Sequence, residues 1–176
     1  MPLISLRNIQ LSFGGPPLLD HLDLTLEPGD RACLLGRNGA GKSTLMQVIA
    51  GEIQPEEGER VVGQGVRIAR LAQEVPEQMG GRVFDLVADG LGAVGELVKR
   101  YHRLSVQLQD GGDEALLTRL ARVQHELEAA DGWSTEQRVE AAISRLSLPG
   151  EAEFSQLSGG LKRRVLLARA LVIEPD

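Results

Sequence analysis

The residues with the clearest chemical content are Gly36-Arg37-Asn38-Gly39-Ala40-Gly41-Lys42-Ser43, followed by Thr44. Glycines at this spacing let the backbone curl, so that several N–H groups turn inward and form a nest for an anion. A helix is expected to start near Lys42, and its positive dipole end would point into the same nest. Lys42 adds a full charge suited to the β- and γ-phosphates of a nucleotide. The Ser43 hydroxyl is an oxygen ligand of the kind Mg²⁺ prefers. The specified chemistry is polyphosphate binding, with ATP and Mg²⁺ as the expected ligands. A bare glycine turn before a helix would need neither the lysine nor the serine.

Such a loop needs a strand leading in and a helix leading out. Arg31 to Leu35 reads as a short apolar strand that runs into the loop. Residues 43 to 50 read as a helix, with Leu45, Met46 and Ile49 on one side and Gly51 to end it. This is the P-loop arrangement. Upstream, residues 3 to 9 and 22 to 26 alternate apolar and polar, as half-buried strands do. Turns fall at Gly14-Gly15-Pro16-Pro17 and Pro28-Gly29-Asp30. Downstream, Glu57-Gly58 is a turn signal, and Val61-Val62 and Val66 to Ala72 look like further strands.

After Gln73 the pattern becomes helical. Leu97, Tyr101, Leu104 and Leu108 form one apolar stripe, and Leu116, Leu120, Val123 and Leu127 form another. Asp110-Gly111-Gly112-Asp113 separates them, which predicts two antiparallel helices joined by a tight turn. A third helix is expected from Ser134, with Ser134 and Gln137 as a capping box and Val139, Ile143 and Leu146 as its apolar face. Pro149-Gly150 ends it, and a last helix runs from about Gly160 to Val172.

Leu157-Ser158-Gly159-Gly160 opens that last helix. Ser158 can cap it, and the two glycines leave its first N–H groups open to an anion. By itself this tetrapeptide is a common helix start. Downstream of the P-loop it resembles the signature motif of the ABC ATPase family. The resemblance implies an α/β P-loop nucleotide-binding domain with a mixed sheet, a small antiparallel part and a helical subdomain. Residues 1–75 would be the P-loop core and β subdomain, 76–156 the helical subdomain with an arm at about 96–128, and 157–176 the signature and its helix. It further implies that Gly36, Arg37, Asn38, Gly39, Ala40, Gly41, Lys42, Ser43 and Thr44 bind the nucleotide. Leu157, Ser158, Gly159 and Gly160 would close over the ATP held by a second ABC domain. Gln73 resembles the Q-loop glutamine that contacts Mg²⁺ and the attacking water, beside Lys42 as the other catalytic group and Ser43 as the other Mg²⁺ ligand. The plain alternative for Gln73 is a polar residue ending a strand. Phe13 resembles the aromatic that stacks on adenine, against the alternative of a core phenylalanine in the first hairpin.

The stretch between Gln73 and Ser158 is longer than transporter modules usually carry, and the arm accounts for the excess. This resembles the ABC-F family, which pairs two ABC domains in one chain and has members that act on the ribosome. Tyr101-His102-Arg103 and Val123-Gln124-His125-Glu126-Leu127 look most like the first domain of its Uup-type branch. Leu161 stands where transporters usually carry Gln. The implied function is ATP hydrolysis driving closure of two ABC domains. Three targets remain open: the ribosome, with RNA met by the arm; branched DNA, through a region outside these residues; or a transporter's membrane subunit. No Walker B carboxylates are found before Glu174-Pro175-Asp176. The expectation is therefore a domain cut short, which binds ATP and by itself hydrolyses it hardly at all.

The totals agree with these motifs. Hydrophobic residues make up 42% and charged residues 25%, as in ordinary globular chains. Aromatics are only 3%, so the core must be aliphatic. A net charge of −6 argues against broad attraction to nucleic acid or anionic membrane. With no signal-like start and no long apolar run, the expected location is cytoplasmic. The one cysteine, Cys33, is expected to be a small buried residue. His21, His102 and His125 share no metal-ligand spacing. Trp133 is expected at the base of the helical pair. Lys99, Arg100, His102 and Arg103 form a basic cluster that reads first as a solvated helix face.

Overall fold

Strand β1 (Ile4–Leu11) turns Ile4, Leu6, Ile9 and Leu11 into a core. Leu6 and Ile9 are three residues apart, which breaks the two-residue period of a strand. A bulge absorbs the extra residue: the register shifts between Leu6 and Ile9, and Asn8 takes a positive φ of 51°. Strand β2 (Leu19–Leu26) pairs antiparallel with β1 and makes the matching adjustment at His21, φ 48°. Leu22, Leu24 and Leu26 lie half-buried between exposed Asp23 and Thr25, as the alternation predicts. Strand β3 (Glu57–Val62) pairs with the other edge of β1, giving the order β2-β1-β3. Gly58 lies within β3, where sequence suggested a turn. Its φ is +94°, and a Cβ there would come 2.4 Å from the Asn8 carbonyl oxygen, so the bulge and this glycine require each other. Helix α1 (Lys42–Ala50) lays Leu45 and Val48 on the sheet, and Gly51 caps it in the left-handed conformation.

The computed structural model describes residues 1–76, 78–109, 111, 113–130 and 132–176. They fall into two compact units, 1–70 with 175–176, and 71–174. Two expected strands of the first unit do not form. Arg31 to Leu35 is exposed and irregular, and 66–72 is irregular and in part half-buried, with Ile68 against the core. A strand exists only through its ladder, and among the described residues none pairs with either segment. Arg67 instead exchanges two hydrogen bonds with Asp176: its N–H donates to Asp176 Oδ2 at 2.8 Å, and its carbonyl accepts from the Asp176 N–H at 3.1 Å. Cys33 is accordingly exposed rather than buried.

The second unit is helical. It contains α2 (Val83–Ala88), α3 (Ala93–Gln109), α4 (Glu114–Ala129), α5 (Trp133–Arg145) and α6 (Gly159–Leu171). Helices α3 and α4 form the expected antiparallel pair, with the Asp113 side chain capping α4 by accepting from the Leu116 N–H at 2.8 Å. Asp110 and Gly112 of the predicted turn lie outside the described residues. The capping box at Ser134 is not realised, because α5 starts one residue earlier, behind Gly132 and without a side-chain cap. Trp133 does sit at the base of the pair, edge-on to Tyr101 at 5.0 Å. The core is aliphatic as composition required, built on Val83, Val87, Val98, Leu127, Val139 and Val165 with Phe84 and Phe154.

Candidate nucleotide-binding site

The loop from Gly36 to Gly41 is exposed up to Gly41 and leads into α1. Gly39 and Gly41 have φ near +82° and +84°. Gly41 is held from outside as well. A Cβ on it would lie 3.1 Å from Leu18 Cγ and 3.4 Å from Leu19 Cδ2, so only glycine lets the loop end against the start of β2. Leu45 and Val48, buried under the sheet, fix the far side. Burying each is worth about 1.5–3 kcal/mol, which anchors the helix whose first turn the loop becomes.

Lys42 folds back over its own loop. Its Nζ donates to the carbonyls of Gly36 (2.7 Å) and Arg37 (2.8 Å). The ammonium is thereby placed inside the curve of the loop. The N-terminus of α1 has no side-chain cap and no acidic residue in its first turn. Helix N–H groups left open in this way, beside a fixed ammonium, form an anion site built by the chain and not filled by it. Ser43 is exposed in that first turn. Among the described residues no cluster of three His, Cys, Asp or Glu could hold a metal ion. A divalent cation here would take oxygen from Ser43 and from the phosphates, which suits Mg²⁺ and its habit of keeping few protein ligands.

Phe13 belongs to the same unit. The residue is 68% exposed, so it is not a core residue of the hairpin. It stands on the 12–17 connection between β1 and β2, closed by a hydrogen bond from the Leu18 N–H to the Leu11 carbonyl at 2.8 Å. Leu18 is the residue that packs on Gly41. The connection bearing Phe13 is therefore tied to the end of the phosphate loop.

The other candidates belong to residues 71–174. Gln73 is exposed in an irregular segment, with no strand before it. Leu157 packs against the helical core, and Ser158 caps α6 by accepting from the Leu161 N–H at 3.4 Å. Gly159 and Gly160 are exposed, and a Cβ on either would meet nothing within 4 Å. The chain's own packing does not demand glycine at these places. What the glycines provide is open access to the α6 N-terminus.

The basic cluster is not a free patch. Lys99 is only 8% exposed and forms ion pairs with Asp89 and Glu96. Burial opposes its charge, yet these two carboxylates prevail and raise its pKa. Arg103 pairs with Asp85 at 2.7 Å, a hydrogen bond that raises its pKa against burial. Arg100 pairs with Glu126 at 3.2 Å. His102 stacks on Phe84 at 3.8 Å and meets Glu151 at 2.8 Å. The solvated-face reading holds for Arg100 and Arg103, whose side chains are 50% and 53% exposed, and fails for Lys99 and His102, which are largely covered. Apart from Glu96, which stands three residues before Lys99 on α3, the acids that pair with these side chains come from other elements, so periodicity within α3 could show only the Lys99–Glu96 pair.

A sequence profile of the ABC transporter family matches residues 19–176. The chain is 45% identical to the ATP-binding protein Uup of Haemophilus influenzae over all of its length and 27% of that protein. It is 41% identical to Uup of Escherichia coli over 99% of the chain and 28% of that protein. It is 29% identical to the energy-dependent translational throttle protein EttA of Mycobacterium tuberculosis, over 99% of the chain and 31% of that protein. The chain thus spans between a quarter and a third of these relatives' length. Among solved structures, the ATP-binding subunit of an ABC transporter superposes with a TM-score of 0.63 at 18% identity, over 98% of this chain and 63% of that one. A metal-chelate type ABC transporter gives 0.61 at 22% identity, over 98% of this chain and 56% of that one.

Proposed function

The chain belongs to the ABC transporter family, and from that premise we propose that it holds ATP–Mg²⁺ in its phosphate loop and works as one half of a paired ATPase. The observation that supports this best is the uncapped N-terminus of α1 with Lys42 folded over the same loop. In this reading the backbone of Gly36 to Gly41 cradles the phosphates and Lys42 moves onto the β- and γ-phosphates. Ser43 and Gln73 hold Mg²⁺, Gln73 also orients the attacking water, and Phe13 stacks on the adenine. Bound Mg²⁺ would offset charge on the terminal phosphates. The open α6 N-terminus at Leu157 to Gly160 serves the γ-phosphate held by a second ABC domain. None of Lys42, Ser43 and Gln73 is a general base. Residues 1–176 by themselves are thus expected to bind nucleotide and release phosphate hardly at all. Titration with ATP–Mg²⁺ tests the binding half: Lys42→Ala should weaken it at least tenfold, as expected for a lost charged hydrogen bond to phosphate. Undiminished binding by that variant would sink the assignment.

The work driven by the cycle is proposed to be on the ribosome, in the cytoplasm, as an ABC-F protein. The support is the α3–α4 arm together with the relative EttA, whose name places it in translation. Because Lys99, Arg100 and Arg103 are held by closer acids, RNA contact would use the exposed arginines of α4: Arg119, and Arg122, whose pairing with Glu126 is long at 3.9 Å. Co-sedimentation with ribosomes should fall as salt rises, and fall further in Arg119→Glu/Arg122→Glu. No association at low salt, with retention on branched DNA or on a membrane protein instead, would move the reading to a DNA-associated or transporter role.

A further inference from the structure

The hairpin that carries Phe13 has a second attachment that the phosphate loop does not supply. Ser12 Oγ donates to the Glu56 carboxylate, 3.0 Å from Oε1 and 2.9 Å from Oε2. The Glu56 N–H donates to the Gln10 carbonyl at 2.9 Å. Glu56 precedes β3, so the end of β1 is clamped to the connection between α1 and β3 by one main-chain and one side-chain bond. Ser12 immediately precedes Phe13, and Gly14 beyond it has a φ of +75°. Phe13 itself, 68% exposed, has little packing to hold its ring. Its direction is fixed by the backbone on which it stands. That backbone is tied on the Leu18 side by Leu11 and Gly41, and on the Ser12 side by Glu56.

We propose that Ser12 and Glu56 are positioning residues for the base: their bond fixes the backbone before Phe13 so that the ring meets the base of the bound nucleotide at low ordering cost. This rests on the reading of Phe13 as the stacking aromatic. A hydroxyl-to-carboxylate bond is stronger than a neutral one, although exposure to solvent reduces its worth. Its value here is preorganisation: a ring already held in place loses less freedom when the nucleotide arrives. Neither side chain belongs to the phosphate-binding loop, so the effect belongs to the base end of the ligand.

The test measures ATP–Mg²⁺ affinity, by displacement of a ribose-labelled fluorescent ATP, in the purified protein and its variants. Ser12→Ala and Glu56→Ala should each weaken ATP about three- to tenfold, with melting temperatures near wild type. Ser12→Thr, which keeps the hydroxyl, should restore the affinity. In a Phe13→Ala background, Ser12→Ala should have no further effect, since no ring is left to position. If Phe13→Ala binds ATP as tightly as wild type, the stacking reading fails and the proposal fails with it. If Phe13→Ala weakens binding while Ser12→Ala and Glu56→Ala do not, positioning alone is overturned. Losses that persist in full in the Phe13→Ala background, or that Ser12→Thr does not restore, overturn it equally, because they would report a general structural role.

Discussion

The partners of a charged side chain decide what else it can bind, as two lysines of this chain show. Lys42 is held only by two carbonyls of its own loop, bonds that it can exchange for phosphate oxygens. Lys99 is held by two carboxylates and has no such freedom. Glu136 in α5 shows what incomplete pairing costs. Burial first, and the neighbouring Glu140 charge second, raise its pKa from 4.5, with His102 opposing. A raised carboxyl favours the protonated form in the fold. Its contribution is full below pH 4.5 and is lost as pH rises through the folded value, so the ionised group is a net burden at neutral pH. Glu136→Gln should therefore raise the melting temperature at pH 7, by under about 1 kcal/mol of stability once solvent screening is allowed for. The gain should fade as pH approaches 4.5. A gain of equal size at both pH values would point to packing, and no gain at pH 7 would show the burial cost to be negligible.

Elements were legible where a period or a local cap specified them. The alternation of β2, the two stripes of α3 and α4, and Gly51 at the end of α1 need only neighbours in sequence. The phosphate loop and Ser158 belong to the same class, since each motif carries its own backbone geometry. Two features escaped because their causes are distant. Helix α2 is short and buried, with no polar face to give a period. The burial of Lys99 and His102 in the basic cluster escaped because, Glu96 apart, the acids of the cluster stand on α2, α4 and the connections around Asp89 and Glu151. That pairing predicts a loss of stability on substitution within α3. Lys99→Met leaves Asp89 and Glu96 facing each other without their cation, at a cost of about 1–3 kcal/mol given that both acids are partly exposed. Arg119→Glu in α4 should change stability by less than about 0.5 kcal/mol, as an exposed surface substitution does. Denaturant midpoints compare the two directly. Equal midpoints would mean that the α3 cluster is a solvated face after all.

At the scale of the chain, the largest departure from expectation is the segment leading into the phosphate loop. Sequence gave it strand character, with Cys33, Leu34 and Leu35 in an apolar run. In the fold Leu34 is 44% and Leu35 85% exposed. Strand propensity is a fit to neighbours on a pleated surface rather than a property of the residues, and the described residues offer this segment no neighbour. Its N–H and C=O groups and its leucines are thus available together, the combination that lets one chain add to another. Residues 1–176 should consequently self-associate in a concentration-dependent way. Light scattering across a dilution series would show the mean mass falling toward 19.0 kDa only when dilute. Leu35→Lys should shift that transition to higher concentration by placing a charge on the unpaired segment, while Leu117→Lys, equally apolar and half exposed but on helix α4 with its backbone bonds already satisfied, should not. A monomer at all concentrations, or an equal response to both substitutions, would remove the segment as the cause, because exposed leucine alone would then account for the behaviour and the open backbone would contribute nothing.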